Sequence, residues 1–452
     1  MTELFECKEL YRMESGWDVD PETGLRMHQP EHPECATHLL PFAVCRGDRL
    51  APARTGIRYK MYFYRPEIPG NLIHTYTYQP EANWSTWCPE RSEMKWTDGE
   101  IILAEDGFLR VAVSLTNGET LPEGSTLQGY VSVIQAPRQE HPGPAWMLNA
   151  REALVHRTEE FRRKNDLVLL LLADTHYTVG GIWPDTLRSL KLAAEQLHPD
   201  GLVHLGDFTD GLLPGEYTRC LVQRMLTELE TVCRNLWCCI GNHDRNCFRG
   251  NPAPLTRRES AKLYLKRKKP WYHVDFREKK LRLLFLDSFE PTERERYGFP
   301  DEEVRWLRYR LLTTPPGYKV LVFSHVPPMA EYHVWSETIR NEEPVFRLLE
   351  RFHRRRRGAV LGWIHGHSHA DQIVEKHHFP VIGIGCSKLE DFPDHKPEGS
   401  VTWKRERDTE TQELWDLLLV HPDTGSLDFL RFGAGKDRHL ERNKEKYDSS
   451  DG

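Results

Sequence analysis

The chain has 452 residues, 39% of them hydrophobic and 29% charged, with 61 Lys plus Arg against 68 Asp plus Glu and a net charge of −7. That length argues for more than one domain, and the composition excludes an intrinsically disordered chain. The acidic balance offers no chain-wide basic footprint, so nucleic acid is not a favoured partner.

The longest apolar run, Leu167 to Ala173, is seven residues, far short of the ~20 that span a bilayer. The N-terminal stretch MTELFECKELYRMESG has no apolar core of a secretory signal. No membrane partner and cytoplasmic residence are therefore expected, although a phage-associated or non-classically exported protein would read the same way. None of the ten cysteines forms a CxxC pair, which argues against a zinc ribbon and for reduced, unpaired thiols.

Residues 1–140 hold short β-type runs separated by turn residues. Ile57 to Tyr64, Ile101 to Ala104, Phe108 to Ser114 and Leu127 to Ile134 are expected strands. Few helical stretches compete, so an all-β sandwich is the natural class here. Residues 141–165 read as a linker and a short helix near Leu148 to Arg163. From Asp166 the rhythm changes to alternating strand and helix. Val168 to Leu172 is continuously apolar, as in a strand covered on both faces. A helix Thr186 to Leu197, a strand Leu202 to Leu205, a helix of about Glu216 to Cys233 and a strand Leu236 to Ile240 follow. Later strands are expected at Leu281 to Leu286, Val320 to Phe323, Ala359 to Ile364 and Val381 to Ile384. This predicts a layered α/β domain over 166–395. Residues 396–437 read as further strands packing on it, with Pro422 to Gly425 as a hairpin turn, and 438–452 as a charged, frayed tail.

The chemistry-bearing residues fall just past the ends of apolar strands. Asp174-Thr-His176 follows LVLLLLA, Gly206-Asp207 follows LVHL, Gly241-Asn-His-Asp244 follows LWCCI, His325 follows VLVFS, and Gly366-His-Ser-His369 follows AVLGWIH. In an open α/β sheet that edge is where ligands bind. Carboxylate and amide oxygens mixed with imidazoles suit Mn, Fe, Zn or similar divalent ions rather than Ca or a thiolate site. Six or seven such groups exceed the needs of one ion, and two ions about 3.5–4 Å apart polarise a phosphoryl group and generate a hydroxide between them.

The ordered series D-x-H, G-D-x-x-D, G-N-H-D, H and G-H-x-H resembles the motif set of the calcineurin-like metallophosphoesterases, over roughly residues 166 to 386. The resemblance implies a four-layer α/β-β/α sandwich, preceded here by the all-β domain. It implies that Asp174, His176, Asp207 and His369 hold one metal. Asp207 would bridge to a second, held by Asn242, His325 and His367. His243 would contact the phosphate and protonate the leaving oxygen, Asp244 would orient His243, and Asp210 would support the ligands. The cofactor expected is a pair of divalent ions (Mn, Fe, Zn or Ni), and the substrate a small-molecule or polymer phosphate ester, with a diester ahead of a monoester. Two alternatives stand beside this: a nuclease of the same superfamily, which needs a basic groove, and a non-catalytic binding or phage-structure-associated protein acting through its sandwich.

Weaker signals have blander readings. Asp207 or Asp210 alone would serve as a helix cap, and His204 and His365, inside strands, read as packed or hydrogen-bonded. Asp371 reads as solvated or as supporting the last block. Arg245, Asn246 and Arg249 are candidates for substrate contact. Arg354 to Arg357 follows an apolar helical face and precedes Gly358, which is a helix-stop arrangement. Gly383-Ile-Gly385 and Gly433-Ala-Gly-Lys436 lack the spacing of nucleotide loops. The N-terminal domain faintly resembles jelly-roll modules of carbohydrate-active and phage tail proteins. Its aromatics (Tyr62, Tyr64, Tyr76, Tyr78, Trp84, Trp87, Trp96) are candidates for carbohydrate contact, with core and cross-strand pairing as the commoner use.

Overall fold

The computed structural model describes residues 11–20, 25–66, 85–87, 101–103, 107–135, 143–177, 182–290, 296–332, 336, 338–356, 359–375, 377–390 and 396–441. They form two units: 1–142 with 177–181 and 212–221, and 143–176 with 182–211 and 222–452. No helix among the described residues is long and apolar enough to cross a membrane. The eight described cysteines are free thiols.

The first unit is built on antiparallel strands. Met13–Ser15, Cys35–His38, Gly107–Leu115, Ile57–Pro66 and Ser85–Trp87 lie side by side in that order, and Phe42–Val44 also pairs with Gly107–Leu115. A second sheet holds Val131–Ile134, Arg49–Pro52 and Ile101–Ile102. Alternation explains the shared core: Met61, Leu109, Val111 and Val113 of the larger sheet meet Leu50, Val131 and Val133 of the smaller. The expected strand from Leu127 begins at Val131, because Leu127–Gly129 forms a 3-10 turn. Tyr62 and Tyr64 are buried with Val19 and Ala112 on the other face of the larger sheet. These two aromatics are core residues and cannot stack on a sugar. Tyr76, Tyr78, Trp84, Trp96 and the Trp87 side chain lie outside the described residues.

Among the described residues of the second unit, its two large sheets take twelve strands, labelled here in chain order: β1 Leu167–Leu172, β2 Gly201–His204, β3 Leu236–Cys238, β4 Tyr272–Phe276, β5 Leu281–Phe285, β6 Lys319–Ser324, β7 Val360–His365, β8 Gln372–Val374, β9 Val381–Gly383, β10 Leu414–Val420, β11 Leu427–Gly433 and β12 Arg438–Leu440. They make two six-stranded sheets, ordered β3-β2-β1-β10-β11-β12 and β4-β5-β6-β7-β9-β8. Strands β1, β2 and β3 run parallel, as do β5, β6, β7 and β9, while β10 to β12 extend the first sheet antiparallel.

The sheets face one another across a core that takes inward-facing residues from both, alternate ones along the regular strands. Leu167, Leu169 and Leu171 of β1, Leu283 and Phe285 of β5, Leu321 and Phe323 of β6, and Leu418 and Val420 of β10 enter it. Each fully buried aliphatic side chain contributes roughly 1.5–3 kcal/mol. The intervening residues Val168, Leu170 and Leu172 are equally buried on the other face, so β1 reads as an unbroken apolar run. Helices α1 Ala145–Phe161 and α2 Trp183–Leu197 cover the first sheet, where Trp415 of β10 donates its indole N–H to Ser189 of α2 at 3.0 Å. Helix α3 is Gly215–Val232. On the second sheet, α5 Asp301–Leu312 and α6 Glu342–Arg355 bury Leu307, Leu311, Val345 and Leu349 against Val320, Val322 and Trp363. The result is a four-layer α/β-β/α sandwich. Helix α4, Arg257–Leu265, starts at a Thr256–Glu259 capping box.

Two sequence expectations change. The short helix expected near Leu148 to Arg163 starts earlier, at Ala145, and its Arg157 reaches the carbonyl of Arg431 at 2.6 Å. The charged tail expected from 438 contributes β12 at the sheet edge; residues 442–452 lie outside the described residues.

A buried charge cluster locks β10 and β11 to the start of β1. His421 sits between Asp166 (2.7 Å) and Asp428 (2.6 Å). Burial pushes its pKa down, but these two carboxylates win and raise it to about 9. A histidine raised on folding stabilises fully below its unfolded pKa of about 6.5, and that contribution fades as pH rises through about 9. His421→Gln is therefore expected to melt below wild type at pH 6.5, with the gap narrowing toward pH 9.5. Thermal unfolding of both proteins across that range checks it; a constant gap would contradict the pairing.

Candidate metal centre

Five strand ends of the second unit deliver the site: Asp174 and His176 after β1, Asp207 and Asp210 after β2, Asn242 to Asp244 after β3, His325 after β6, and His367 and His369 after β7. Asp174, His176, Asp207, His367 and His369 all have left-handed backbones, with φ of 53°, 41°, 56°, 67° and 51°. For residues other than glycine that conformation costs roughly 1–2 kcal/mol each, and such strain gathers at functional positions. Gly206 lets the β2 and β3 ends approach: a Cβ there would lie 2.6 Å from the Gly241 nitrogen, at a φ of 102°.

Among the described residues the ligand-type atoms converge in four overlapping groups, of which His176, Asp207 and His243 form one and His369, Cys386 and Glu390 another; the remaining two carry the expected ligand sets. Those two are Asp174, His176 and His369, and Asp207, His325 and His367, with the candidate ligand atoms of each group within 4.8 Å of one another. Asp207 lies between these two. Its Oδ1 accepts the His243 N–H at 2.8 Å, while Oδ2 lies 3.1 Å from His325 Nε2 and 3.7 Å from His176 Nε2. Asn242 Oδ1 is 3.1 Å from the same His325 Nε2. Asp174 accepts the His367 N–H at 3.0 Å and places Oδ1 3.4 Å from His369 Nε2. His369, His243 and His367, at 9%, 7% and 5% exposure, mark the open side, whereas Asp174 and His325 are wholly buried.

The donor set fits divalent cations. His325 donates Nδ1–H to the Leu205 carbonyl at 2.9 Å, so its Nε2 lone pair faces the oxygens of Asp207 and Asn242. His369 Nδ1 lies 2.9 Å from the Glu390 carboxylate, which turns its Nε2 lone pair toward His176 Nε2 at 3.1 Å. With neutral imidazoles these buried groups are acceptors facing acceptors, an arrangement relieved by positive charge between them, whether protons or a metal ion. The protonation equilibria show the same demand. Burial disfavours a charged His325, yet Asp207 and Asp174 raise it to about 9. Burial likewise opposes ionisation of Asp207, but His325 and His243 hold its carboxyl well below the usual range. Asp174, with burial again opposed and His369 favouring the anion, is also lowered.

Three expected roles change. Asp244 does not touch the His243 ring; its carboxylate accepts the backbone N–H groups of Gly241 (2.8 Å), Phe208 (2.8 Å) and Asp207 (2.9 Å), so it holds the β2 and β3 loops together. The His243 ring is oriented by the Asp210 carbonyl, 2.6 Å from Nδ1. The Asp210 carboxylate is 3.2 Å from His176 Nδ1, off-line for a hydrogen bond. Arg245 is buried and points to Asp287 (3.4 Å) and the Phe289 carbonyl (3.2 Å), a frame contact rather than a substrate contact. Asn246 donates to the Ala253 carbonyl within its own loop, and the Arg249 side chain lies outside the described residues.

His204 stacks on Phe208 at 3.6 Å and accepts the Gly206 N–H, and burial lowers its pKa to about 3. His365 lies beside its neighbour's carbonyl, lowered by burial to about 4. Both are structural histidines. Asp371, expected solvated or supporting, is buried in an ion-pair network with Arg431 and Arg438. Of the residues around the site, Glu390 had gone unread. Nothing local in Cys386-Ser-Lys-Leu-Glu390 marks it; the only cue is that a ligating imidazole needs a partner on its other nitrogen.

Residues 167–371 match the family model described as calcineurin-like phosphoesterase. No curated protein matches the chain in sequence. Among solved structures, a dimetal phosphatase from Danio rerio is 17% identical with a TM-score of 0.44, over 61% of this chain and 99% of that one. PhoD is 9% identical with a TM-score of 0.41, over 97% and 91%. GAP50 of Plasmodium is 13% identical with a TM-score of 0.39, over 62% and 90%. The matched span carries all five strand ends that bear candidate ligands, so over residues 167–371 the second unit is similar to calcineurin-like phosphoesterases, with His/Asp clusters suited to metal ions.

Proposed function

We propose that the chain hydrolyses a phosphate ester at a pair of divalent ions (Mn, Fe, Zn or Ni), with a diester preferred over a monoester. The observation that carries the reading is the convergence of two ligand groups on Asp207. Bound there, two divalent ions supply charge for the phosphoryl oxygens and a water acidified enough to attack phosphorus. The protein's own part is positioning. Asp207 holds one oxygen toward both groups because its other oxygen is tied to the His243 backbone.

His243 stands on the open side with Nδ1 fixed by the Asp210 carbonyl, so Nε2 is the end presented to a leaving oxygen. Burial keeps its pKa low, at about 4, against the pull of Asp207. The proton it passes to the leaving group therefore arrives with the negative charge of the substrate, which opposes the burial effect. The preference for a diester rests on charge. Three cations touching the site's loops are committed: Arg245 to Asp287, Lys396 to the Ser368 and His369 carbonyls, and Arg405 to the Thr411 and Cys386 carbonyls. With their donors held in these contacts, they meet a diester monoanion more readily than a monoester dianion, which asks for more compensating charge.

Chelation followed by readdition of Mn, Fe, Zn or Ni singly is expected to abolish and then restore turnover, with bis(4-nitrophenyl) phosphate cleaved at higher kcat/KM than 4-nitrophenyl phosphate. Asp207→Asn is expected to lower kcat by about 10³-fold with the thermal transition retained; near-wild-type turnover in that variant would sink the proposal. His243→Ala should still bind two metal ions per chain by elemental analysis while kcat falls about 10²–10⁴-fold. Loss of metal in that variant would instead make His243 a ligand.

A further inference from the structure

Two aromatic rings rest against histidines on the open side of the metal site, and both carry the same guanidinium. Phe248, in the 3-10 turn Phe248–Gly250, lies 4.1 Å ring to ring from His243. Tyr297 meets His367 edge-on at 5.1 Å and 69°. The Arg296 guanidinium carbon sits 5.5 Å from the Phe248 ring and 5.4 Å from the Tyr297 ring. The distances of 5.5 Å to Phe248 and 4.1 Å onward to His243 bound the separation of guanidinium and His243 ring at about 9.6 Å.

The platform is rigid. Tyr297 is buried, and Tyr297–Gly298 pairs in parallel with Ile339–Arg340. The pairing needs glycine at 298: its φ is 148°, and a Cβ there would lie 2.8 Å from the Arg340 nitrogen. Arg296 itself is exposed. A cation–π contact holds a guanidinium by its face and leaves the N–H fork at its edge unused. Among the described residues no hydrogen bond or ion pair takes that fork. Arg245, the arginine adjacent to the His243 block, is spent on Asp287, so Arg296 is a cation at the rim with its donors available.

We propose that Arg296 reads a second anionic group on the substrate, so that the preferred ester carries a carboxylate or phosphate on one arm, within the reach set by that separation from His243. Bidentate recognition by a guanidinium suits either anion. The proposal rests on the phosphoester hydrolysis proposed above. The competing use of Arg296 is to shield Phe248 and Tyr297 from water.

The test compares 4-nitrophenyl ethyl phosphate with its 3-carboxypropyl and 3-phosphonopropyl analogues, on wild type, Arg296→Met and Arg296→Lys holoenzyme. Met keeps the apolar cover and removes the charge; Lys keeps the charge and removes the fork. The ratio of kcat/KM for charged over uncharged arms is expected to fall about tenfold in Arg296→Met and by less in Arg296→Lys. Which charged arm shows the larger fall identifies the anion. An unchanged ratio in Arg296→Met overturns the proposal, as does an equal loss on all three esters, which is the signature of shielding. Should wild type turn over none of them, the hydrolytic reading fails, and the same ratio is read as Kd by calorimetry, where tenfold weakening of the charged arms alone upholds Arg296 and an unchanged ratio overturns it.

Discussion

Lone pairs that face lone pairs across a water-poor pocket are the constraint on which the rest of this fold depends. Asp207 Oδ2, Asn242 Oδ1 and the Nε2 atoms of His325, His176 and His369 approach one another at 3.1–3.7 Å. With neutral imidazoles these are buried acceptors without donors, which cost several kcal/mol, so the cluster draws in positive charge, as the raised pKa of His325 shows. A metal cation supplies such charge, and the imidazole tautomers are already set for one by the Leu205 carbonyl and Glu390.

Holding that cluster needs a frame stiff enough to keep five candidate ligand residues in left-handed backbone conformations. The inter-sheet core supplies the stiffness: β1, β2, β6 and β7 each bury apolar residues in it and end at the same edge. Local devices then close the remaining freedom. Asp244 gathers three backbone N–H groups from the β2 and β3 loops, and Asp174 gathers the amide of His367 from the β7 loop. Each carboxylate thus spends hydrogen-bonding capacity on joining loops that no strand pairing connects.

The parts of this plan that the sequence declares are those whose cause is local. Strands buried on both faces appear as unbroken apolar runs such as Val168 to Leu172, and the ligand blocks sit at their ends. Helix α4 was also legible, in the Thr256-Arg-Arg-Glu259 capping box, and α5 in the acidic first turn Asp301-Glu-Glu303, although neither stands out beside the stronger periodic segments. What sequence adjacency misleads on is direction. Asp244 follows His243 in the chain, but in a 3-10 turn successive side chains diverge, so the carboxylate serves backbone amides and a carbonyl from another loop orients the ring. Glu390 and Arg296 have no local signature at all; each matters only through a ring brought to it by the fold. Strand β12 hides in a charged segment because its charges are internal partners rather than solvent-facing ones.

Those partners show why the C-terminal strands belong to the metal site rather than merely covering the sheet. Asp371 lies two residues past His369 and is gripped by Arg431 of β11 (2.7 Å) and Arg438 of β12 (2.6 Å), while Asp416 of β10 takes the other side of both guanidiniums. Asp371 also accepts the Gly385 N–H at 3.1 Å, and just beyond, Ser387 and Lys388 donate to the carbonyls of Ala173 and Asp174 at 2.8 and 3.1 Å. Buried ion pairs of this kind add little net stability, because desolvation offsets their attraction. Their consequence is geometric: with two arginines on one carboxylate, the backbone carrying His369 has one position relative to β10 to β12. The segment after β9, which brings Glu390 to His369, is fixed by the same carboxylate. The antiparallel extension of the first sheet therefore sets the height of a candidate ligand loop that belongs to the second sheet.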